Sequence, residues 1–199
     1  MYSKNILFKN FKIKKKKNIK KILTKLLKED NKILHSLGKN YEDSYNNKKL
    51  SKYKKYTNLR IIGMGGSSLG TRAIYNFLKH KIKKKLFFFD NLQPNKMNHS
   101  KKHLNLIISK SGNTLETIVN SNVFTNKLDK NIFITENKKS YLHELANKLK
   151  SEIVHHNNYI GGRYSVLSEV GMLPAELMGL KSDYFRQFNY LIKNKKFIN

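Results

Sequence analysis

The sequence contains no cysteine and no long apolar run, and each absence excludes a class of protein. Without cysteine, a disulfide framework and a thiolate metal site are excluded, which fits a reducing compartment. Nowhere do about 18 apolar residues follow one another, the length that a transmembrane helix needs. The N-terminal segment also lacks the apolar core of a signal peptide. We therefore expect a soluble, cytoplasmic protein with no membrane partner.

Acidic residues are also scarce. The 199 residues include 13 Asp and Glu but 41 Lys and Arg, which gives a formal net charge of +28 at pH 7. A charge of this size attracts nucleic acid through counterion release. The excess, however, is mostly lysine and is spread over the whole chain, whereas specific readers use arginine forks and stacked aromatic rings. We expect no specific nucleic-acid partner and keep electrostatic binding to nucleic acid as the least favoured alternative.

The first 55 residues are the most basic part of the chain. Apolar residues recur there at steps of three and four between Ile19 and Leu37, which predicts one amphipathic helix that ends at Gly38. Such a stripe suits a membrane-surface or partner helix, or an arm that packs on its own domain with its lysines outward. We favour the second interpretation and predict a basic helical N-terminal arm over 1–55, in which a polar connector with one short helix begins at Asn40 and extends to Asn58.

From Leu59 onward, short apolar runs alternate with helical patterns, which is typical of βαβ units and a parallel sheet. The predicted strands are 59–62, 86–89, 104–108, 131–135 and 152–154. The predicted helices are 69–78, 115–124, 141–149 and 166–178, with Gly179 ending the last of these. We predict an α/β fold with a five-stranded parallel sheet over 56–180, and the start of a following helix over 181–199, capped by Ser182.

The third predicted strand ends abruptly in Ser109-Lys110-Ser111-Gly112-Asn113-Thr114. A strand that passes through a tight glycine turn into a helix N-terminus presents free backbone N–H groups, and hydroxyl groups add further donors. This arrangement predicts a phosphate-binding loop. The alternative is a Ser/Thr-rich turn with a simple helix cap.

A second glycine turn, Gly63-Met64-Gly65-Gly66-Ser67-Ser68, follows the first predicted strand. Because the carboxyl ends of parallel strands share one edge of a sheet, both turns are expected to line one crevice. The turn also resembles a dinucleotide fingerprint, for which Asp90 is the nominal ribose-binding carboxylate. That alternative is the weaker one, because a dinucleotide needs the whole motif and Asp90 precedes a loop with a proline.

Arg163 follows two glycines in Gly161-Gly162-Arg163-Tyr164-Ser165. Glycine permits a close backbone approach, and the guanidinium fork is suited to hold an oxyanion. Arg163 is therefore the best single candidate for a catalytic group. The alternative is an ordinary solvated or ion-paired arginine.

Together these motifs resemble the glucose-6-phosphate isomerase family. The motifs that carry the resemblance are Gly63-Met64-Gly65-Gly66-Ser67-Ser68-Leu69-Gly70, Ile108-Ser109-Lys110-Ser111-Gly112-Asn113-Thr114-Leu115-Glu116-Thr117 and Gly161-Gly162-Arg163-Tyr164-Ser165. Ser-x-Ser-Gly alone indicates only the wider sugar-isomerase (SIS) fold, whereas Gly-Gly-Arg-Tyr-Ser narrows the resemblance to this family. It implies a SIS-type three-layer αβα sandwich.

The resemblance also implies an activity and residue roles. Family members interconvert glucose 6-phosphate and fructose 6-phosphate through a cis-enediol, in glycolysis and gluconeogenesis, with no metal and no organic cofactor. Arg163 is implied to stabilise the enediolate, and Glu116 to be a structural carboxylate at a helix N-terminus. The residues implied to bind the substrate are Gly66, Ser67, Ser109, Lys110, Ser111 and Thr114.

The family's proton-transferring glutamate, ring-opening histidine and a further lysine lie downstream of the Gly-Gly-Arg-Tyr-Ser motif. None of the seven histidines here matches the family's catalytic context, and Glu169 and Glu176 lie inside the signature helix. We therefore expect the N-terminal portion of an isomerase that forms homodimers at full length, able to bind sugar phosphates weakly but inactive alone. The alternative is a self-standing phosphosugar-binding module with a regulatory task.

Overall fold

The computed structural model describes residues 17–92, 102–126 and 129–186. Two compact units divide the chain. The sheet unit comprises residues 42–182, and the helical unit comprises residues 1–41 together with 183–199.

The described part of the helical unit contains two short helices, α1 (Lys17–Lys28) and α2 (Lys32–Ser36). The prediction of one continuous helix is therefore wrong. The break has a local cause, since the Asn31 side-chain oxygen accepts a hydrogen bond from the Ile33 backbone N–H at 2.9 Å and so begins a new helix. The predicted end before Gly38 is confirmed, with Leu37 as the C-cap of α2.

The sheet unit contains five parallel strands in the order β2-β1-β3-β4-β5, which confirms the predicted α/β fold. The strands are β1 (Asn58–Ile62), β2 (Lys85–Phe89), β3 (Leu104–Ile108), β4 (Lys130–Thr135) and β5 (Glu152–His155). Each differs from its predicted range by one residue or less at either end. The reason is that each strand centres on a short apolar run, fully buried in β3 and partly buried in β2 and β5, and polar residues or glycine bound it.

Within the described residues, five α-helices accompany the sheet: α3 (Asn47–Leu50), α4 (Gly66–Leu78), α5 (Leu115–Phe124), α6 (Tyr141–Lys148) and α7 (Glu169–Leu177). Short 3₁₀ segments lie at Ser51–Tyr53, Lys79–Lys81, Gly162–Leu167 and Ser182–Tyr184. The helix predicted from residue 166 begins later, because Ser168 accepts from the Val170 N–H and caps α7. Of the last predicted helix, 182–184 is a 3₁₀ turn and the part beyond residue 186 lies outside the described residues.

The helices form layers on both faces of the sheet. The chain moves from β1 to β2 in one direction and from β3 through β4 to β5 in the other. Because such crossovers are right-handed, α4 lies on one face and α5 and α6 lie on the opposite face. On the α4 face, the Thr71 hydroxyl donates to the Val170 carbonyl oxygen at 3.2 Å and ties α4 to α7. The core under α5 and α6 consists of Ile62, Phe89, Ile107, Phe124, Phe133, Leu142 and Ala146.

One buried ion pair lies at the amino ends of the central strands. Arg60 of β1 donates through Nη1 to Asp129 Oδ2 at 2.9 Å, and both side chains are fully buried. The same nitrogen donates to the Phe124 carbonyl oxygen, and the other Asp129 oxygen accepts from the His103 N–H at 2.9 Å. No helix within the described ranges is both long enough and apolar enough to cross a membrane.

Candidate functional site

The switch in strand order lies between β1 and β3, where the chain continues to opposite sides of the sheet. Ligands of open parallel sheets collect at the carboxyl ends of the strands at such a point. The two predicted turns follow these two strands. A Cβ at Gly63 would lie 2.6 Å from the Ile108 carbonyl oxygen, so glycine is required where the end of β1 approaches the end of β3. The predicted convergence of the two turns is confirmed.

The turn after β3 gathers three hydroxyl groups. The Thr114 hydroxyl lies 3.0 Å from that of Ser109 and 3.4 Å from that of Ser111. Gly112 adopts a φ of 69°, and its N–H donates to the carbonyl and hydroxyl oxygens of Ser109, each at 3.2 Å. The hydroxyl of Ser111 is exposed, whereas Ser109 is buried. The turn therefore presents a hydroxyl cluster at the start of α5.

The helices that leave this crevice begin without side-chain caps. No side chain within the described residues caps α4, whose N-cap is Gly65, or α5, whose N-cap is Thr114. By contrast, α6 is capped by Ser140 and α7 by Ser168. At α4, however, the Ser67 and Ser68 N–H groups already donate to the Met64 and Gly65 carbonyl oxygens, each at 3.1 Å. The first N–H groups of α5 form no hydrogen bond within the described residues. These N–H groups and the positive end of the α5 dipole therefore remain available to bind an anion.

The glycine pair before Arg163 packs directly on the turn after β1. A Cβ at Gly66 would lie 2.5 Å from the Gly162 carbonyl oxygen. The Ser165 hydroxyl lies within hydrogen-bonding distance of the carbonyl oxygens of Gly66, at 3.2 Å, and Gly162, at 2.8 Å. Ser67, in the first turn of α4, is half-buried. The structure thus brings the first and third motifs together backbone to backbone.

Arg163 itself is exposed beside this contact. Within residues 17–92, 102–126 and 129–186, its guanidinium forms no hydrogen bond or ion pair. Arg163 therefore has no carboxylate partner in this part of the chain, which does not support the alternative interpretation of an ion-paired arginine. A planar fork with five donors is left for an external oxyanion.

Lys110 points from the hydroxyl turn toward the segment that precedes Gly161. Its ammonium donates to the Asn158 carbonyl oxygen at 2.5 Å and lies 3.6 Å from the Glu136 carboxylate. The pKa of Glu136 is lowered from its ordinary value, first by the hydrogen bond from Lys138 and also by the charge of Lys110. Lys110 thereby links the turn after β3 to the segment that leads into Gly161-Gly162-Arg163.

A buried polar cluster that the sequence did not reveal supports the same segment. His156 Nε2 lies 3.1 Å from the Ile160 carbonyl oxygen, and Nδ1 lies 3.3 Å from the Glu169 carboxylate. Ser44 donates through its N–H to the other Glu169 oxygen at 3.4 Å, and its hydroxyl donates to the His155 carbonyl oxygen. The consecutive histidines were the only local signal, since the partner residues come from distant parts of the chain.

Asp90, the nominal ribose-binding residue of the dinucleotide alternative, is paired with Arg72, whose Nη2 lies 2.6 Å from Oδ2. Within the described ranges, no group of three or more His, Asp or Glu side chains is arranged to hold a metal ion. The crevice therefore consists of backbone N–H groups, hydroxyl groups and an arginine, which is the chemistry of a site for an oxyanion.

Comparison with known proteins agrees with this chemistry. The phosphoglucose isomerase family model matches residues 13–196. A glucose-6-phosphate isomerase of Methanocaldococcus jannaschii is 36% identical over 156 residues, 70% of this chain and 38% of that enzyme. The enzyme of Borrelia garinii is 35% identical over 138 residues, 60% of this chain and 26% of that enzyme.

Solved structures show the same fold. A hypothetical protein, TT0462 of Thermus thermophilus, superposes with a TM-score of 0.68 at 22% identity, over 88% of this chain and 47% of that one. Tagatose-6-phosphate ketose/aldose isomerase of Escherichia coli gives a TM-score of 0.52 at 20% identity, over 71% and 43% of the two chains. The predicted SIS-type architecture is thereby confirmed.

The chain spans well under half the length of these curated relatives. Within that span, the family match covers the hydroxyl turn, the glycine turn and the Gly-Gly-Arg segment that meet at the crevice. The chain belongs to the phosphoglucose isomerase family.

Proposed function

We propose that the crevice between β1 and β3 binds the phosphate group of a hexose phosphate, and that the chain is the phosphate-binding part of a glucose-6-phosphate isomerase. The observation that supports this most is the uncapped N-terminus of α5 beside three clustered hydroxyl groups. A phosphate dianion is the ligand that such a set of donors favours. Residues 56–180 are the proposed sugar-phosphate-binding domain.

In this proposal, Ser109, Ser111 and Thr114 donate to the phosphate, and Lys110 adds charge and orders the neighbouring segment. The residues proposed to line the same pocket are Gly66 and Ser67. The substrate of an aldose–ketose isomerase loses a proton from C2 and regains one at C1, so negative charge develops on the enediolate oxygen. Arg163 stabilises that charge. Loss of one such preorganised donor raises a barrier by about 3 to 4 kcal/mol.

We further propose that residues 1–199 bind the sugar phosphate but require groups from outside this sequence for proton transfer. The resemblance assigns those groups to a glutamate and a histidine that match none of the residues here. General acid–base groups contribute about 10² to 10⁴-fold each. A coupled assay with fructose 6-phosphate and an excess of a glucose-6-phosphate dehydrogenase measures turnover, and rapid turnover by this chain would contradict the proposal.

Binding is tested separately by thermal shift with fructose 6-phosphate. A ligand at 100 times its dissociation constant stabilises the folded state by about 2.7 kcal/mol. Ser111→Ala removes an exposed hydroxyl of the turn and should weaken binding about tenfold, given about 1.5 kcal/mol for one hydrogen bond to a charged group. Ser51→Ala removes an exposed hydroxyl whose one hydrogen bond within the described residues is to the Lys48 carbonyl oxygen, so it is the matched control. Equal affinity in both variants would contradict the phosphate-loop assignment.

A regulatory phosphosugar-binding module remains the second candidate, because the same donors suit a sensor. The exposed Arg163 separates the two proposals, since a catalytic arginine contributes mainly after charge develops. Arg163→Gln should leave fructose 6-phosphate affinity within about threefold and weaken an anionic, planar analogue of the enediolate about a hundredfold. Equal weakening of both ligands would favour the sensor.

A further inference from the structure

A second concave site lies at the amino ends of the strands, at the end of the sheet opposite the crevice. It is a cavity of about 590 Å³, within the range that small-molecule sites occupy. The residues around it come from the start of β4, the turn after α6 and the segment before β1. Asn131 and Ser151 contribute polar groups, and Tyr53 and Tyr56 contribute aromatic walls.

The lining of this cavity is strongly basic. Five of its twelve residues are lysines, whereas Lys and Arg together make up 41 of the 199 residues of the chain. The lysines are Lys52, Lys55, Lys130, Lys148 and Lys150. Asp129 is the one acidic residue in this lining, and its charge is compensated by the buried Arg60.

Most of these ammonium groups lack a carboxylate partner among the described residues. Lys52 pairs with Glu152 at 3.1 Å. Within the described part of the chain, Lys55, Lys130, Lys148 and Lys150 form no ion pair. Like charges that line one concave surface repel one another and concentrate the positive potential there. A multivalent anion relieves this repulsion, because each of its charges interacts with several ammonium groups at once.

Lys150, at the edge of this cavity, has its backbone in the left-handed region. Its φ is 49°, and among the described residues it is the one non-glycine with a positive φ. It follows the end of α6, where the Ser151 N–H donates to the Ala146 carbonyl oxygen. Glycine or asparagine ordinarily occupies this position. The Lys150 N–H also donates to the Asn147 carbonyl oxygen at 3.0 Å, so the left-handed residue closes the helix end and places a lysine in the lining of the cavity.

We propose that the cavity binds a small molecule with two or more phosphate charges, such as a diphosphate or a bisphosphate. This site is distinct from the crevice, because it lies at the amino ends of the strands and shares no residue with the hydroxyl turn. The lysines hold the phosphate charges, and the tyrosines and Asn131 face the remainder of the molecule. The site does not depend on the proposed isomerase activity.

The test measures inorganic pyrophosphate binding to the full chain by calorimetry in about 50 mM salt, where screening is modest. A triple variant, Lys55→Gln with Lys130→Gln and Lys148→Gln, removes three exposed ammonium groups. Each removed charge should weaken binding roughly fivefold, so that the triple variant loses about a hundredfold. The matched control is Lys79→Gln with Lys81→Gln and Lys83→Gln, exposed lysines outside the cavity, which should change affinity less than threefold.

Lys150→Gly separates a binding role from a structural one. It should raise the unfolding midpoint, because glycine fits the left-handed backbone, while it weakens pyrophosphate binding about fivefold. Pyrophosphate can also occupy the proposed phosphate site in the crevice, so the calorimetry is repeated in a Ser111→Ala background, where the lysine-dependent binding should persist. Equal losses in both triple variants, disappearance of the lysine-dependent binding in the Ser111→Ala background, or binding of an acidic peptide but not pyrophosphate would each overturn the proposal.

Discussion

Gly66 shows how a single backbone position joins two motifs that are about a hundred residues apart. Its missing side chain lets the turn after β1 contact the backbone of Gly162, and a Cβ would lie 2.5 Å from that carbonyl oxygen and 2.6 Å from that Cα. Backbone atoms cannot move aside as a flexible side chain can. Any side chain here must therefore separate the first turn of α4 from the segment that carries Arg163.

We predict that Gly66→Ala destabilises the sheet unit by about 1 to 3 kcal/mol, the range for overpacking a close contact, and weakens fructose 6-phosphate binding. Gly161→Ala is the control. Its φ of −75° suits alanine, and the nearest atom to a new Cβ is Tyr164 Cδ2 at 4.0 Å. Urea unfolding and thermal shift measure both effects. Equal destabilisation by the two substitutions would contradict the close approach.

The buried pair of Arg60 and Asp129 is the second feature that acts at the scale of single residues. Burial lowers the pKa of Arg60, and Asp129 opposes that effect; an arginine nevertheless remains charged at any ordinary pH. Two of its nitrogens, Nε and Nη2, have no hydrogen-bond partner among the described residues. The pair is therefore costly to bury and still more costly to break.

Replacing Arg60 by methionine should destabilise the protein by about 3 to 5 kcal/mol, because it leaves an uncompensated carboxylate in the core. Arg72→Met is the matched arginine control. The Arg72 and Asp90 side chains are 38% and 27% exposed, so loss of that pair should cost no more than about 1 kcal/mol. Denaturant midpoints at constant m-value compare the two, and similar losses would contradict the difference in burial.

At the scale of elements, α4 carries an apolar stripe that faces away from the sheet. Leu69, Ala73 and Phe77 share one helix face, as their spacing predicts, but Leu69 is 57% exposed and Phe77 is 81% exposed. The buried positions of this helix are instead Ser68, Thr71 and Ile74. Small and polar residues face the interior because α4 packs closely on α7 and on the 3₁₀ segment at Gly162–Leu167, where a Cβ at Gly70 would lie 2.8 Å from Val166 Cγ2.

The two faces of α4 should therefore respond differently to truncation. Ile74→Ala should destabilise the sheet unit by about 2 to 5 kcal/mol, through lost burial and the cavity left behind. Phe77→Ala should change stability by less than about 0.5 kcal/mol. Chemical unfolding of both variants gives the comparison. A large loss for Phe77→Ala would show that this face is covered in solution.

The sequence predictions were most accurate for features that neighbouring residues determine, and least accurate for contacts between residues far apart in the chain. β3 and α5 have the predicted bounds, because an apolar run and a polar turn are local signals. The break at Asn31 and the 3₁₀ segment before Ser168 were missed, although each is fixed by a cap. At the site, the hydroxyl turn was visible in the sequence. The Gly66–Gly162 contact and the pairing of His156 with Glu169 were not, because only the fold brings those residues together.

At the scale of the whole molecule, charge is the dominant property. The described ion pairs are mostly at the surface, as for Lys138 with Glu136 at 2.6 Å and Lys139 with Glu144 at 3.9 Å. Such pairs contribute little individually. With 41 basic and 13 acidic residues, at least 28 positive charges have no acidic residue to pair with. Net repulsion should therefore exceed the attraction of the surface pairs, and it destabilises the compact state.

This balance predicts the direction of the salt effect. The unfolding midpoint at pH 7 should rise when sodium chloride increases from about 20 mM to about 300 mM, because the Debye length falls to below 10 Å and repulsion is screened.

Acidification should enlarge this effect of salt on the unfolding midpoint. The pKa of Glu136 is lowered by Lys138 and Lys110, so its stabilising contribution is present at neutral pH and is lost as the pH falls through that pKa, below 4.5. Thermal unfolding at pH 7 and at about pH 3 measures both dependences, with Glu136→Gln as the variant that removes this one contribution. A midpoint that falls with salt would show instead that attractive pairs outweigh the net charge.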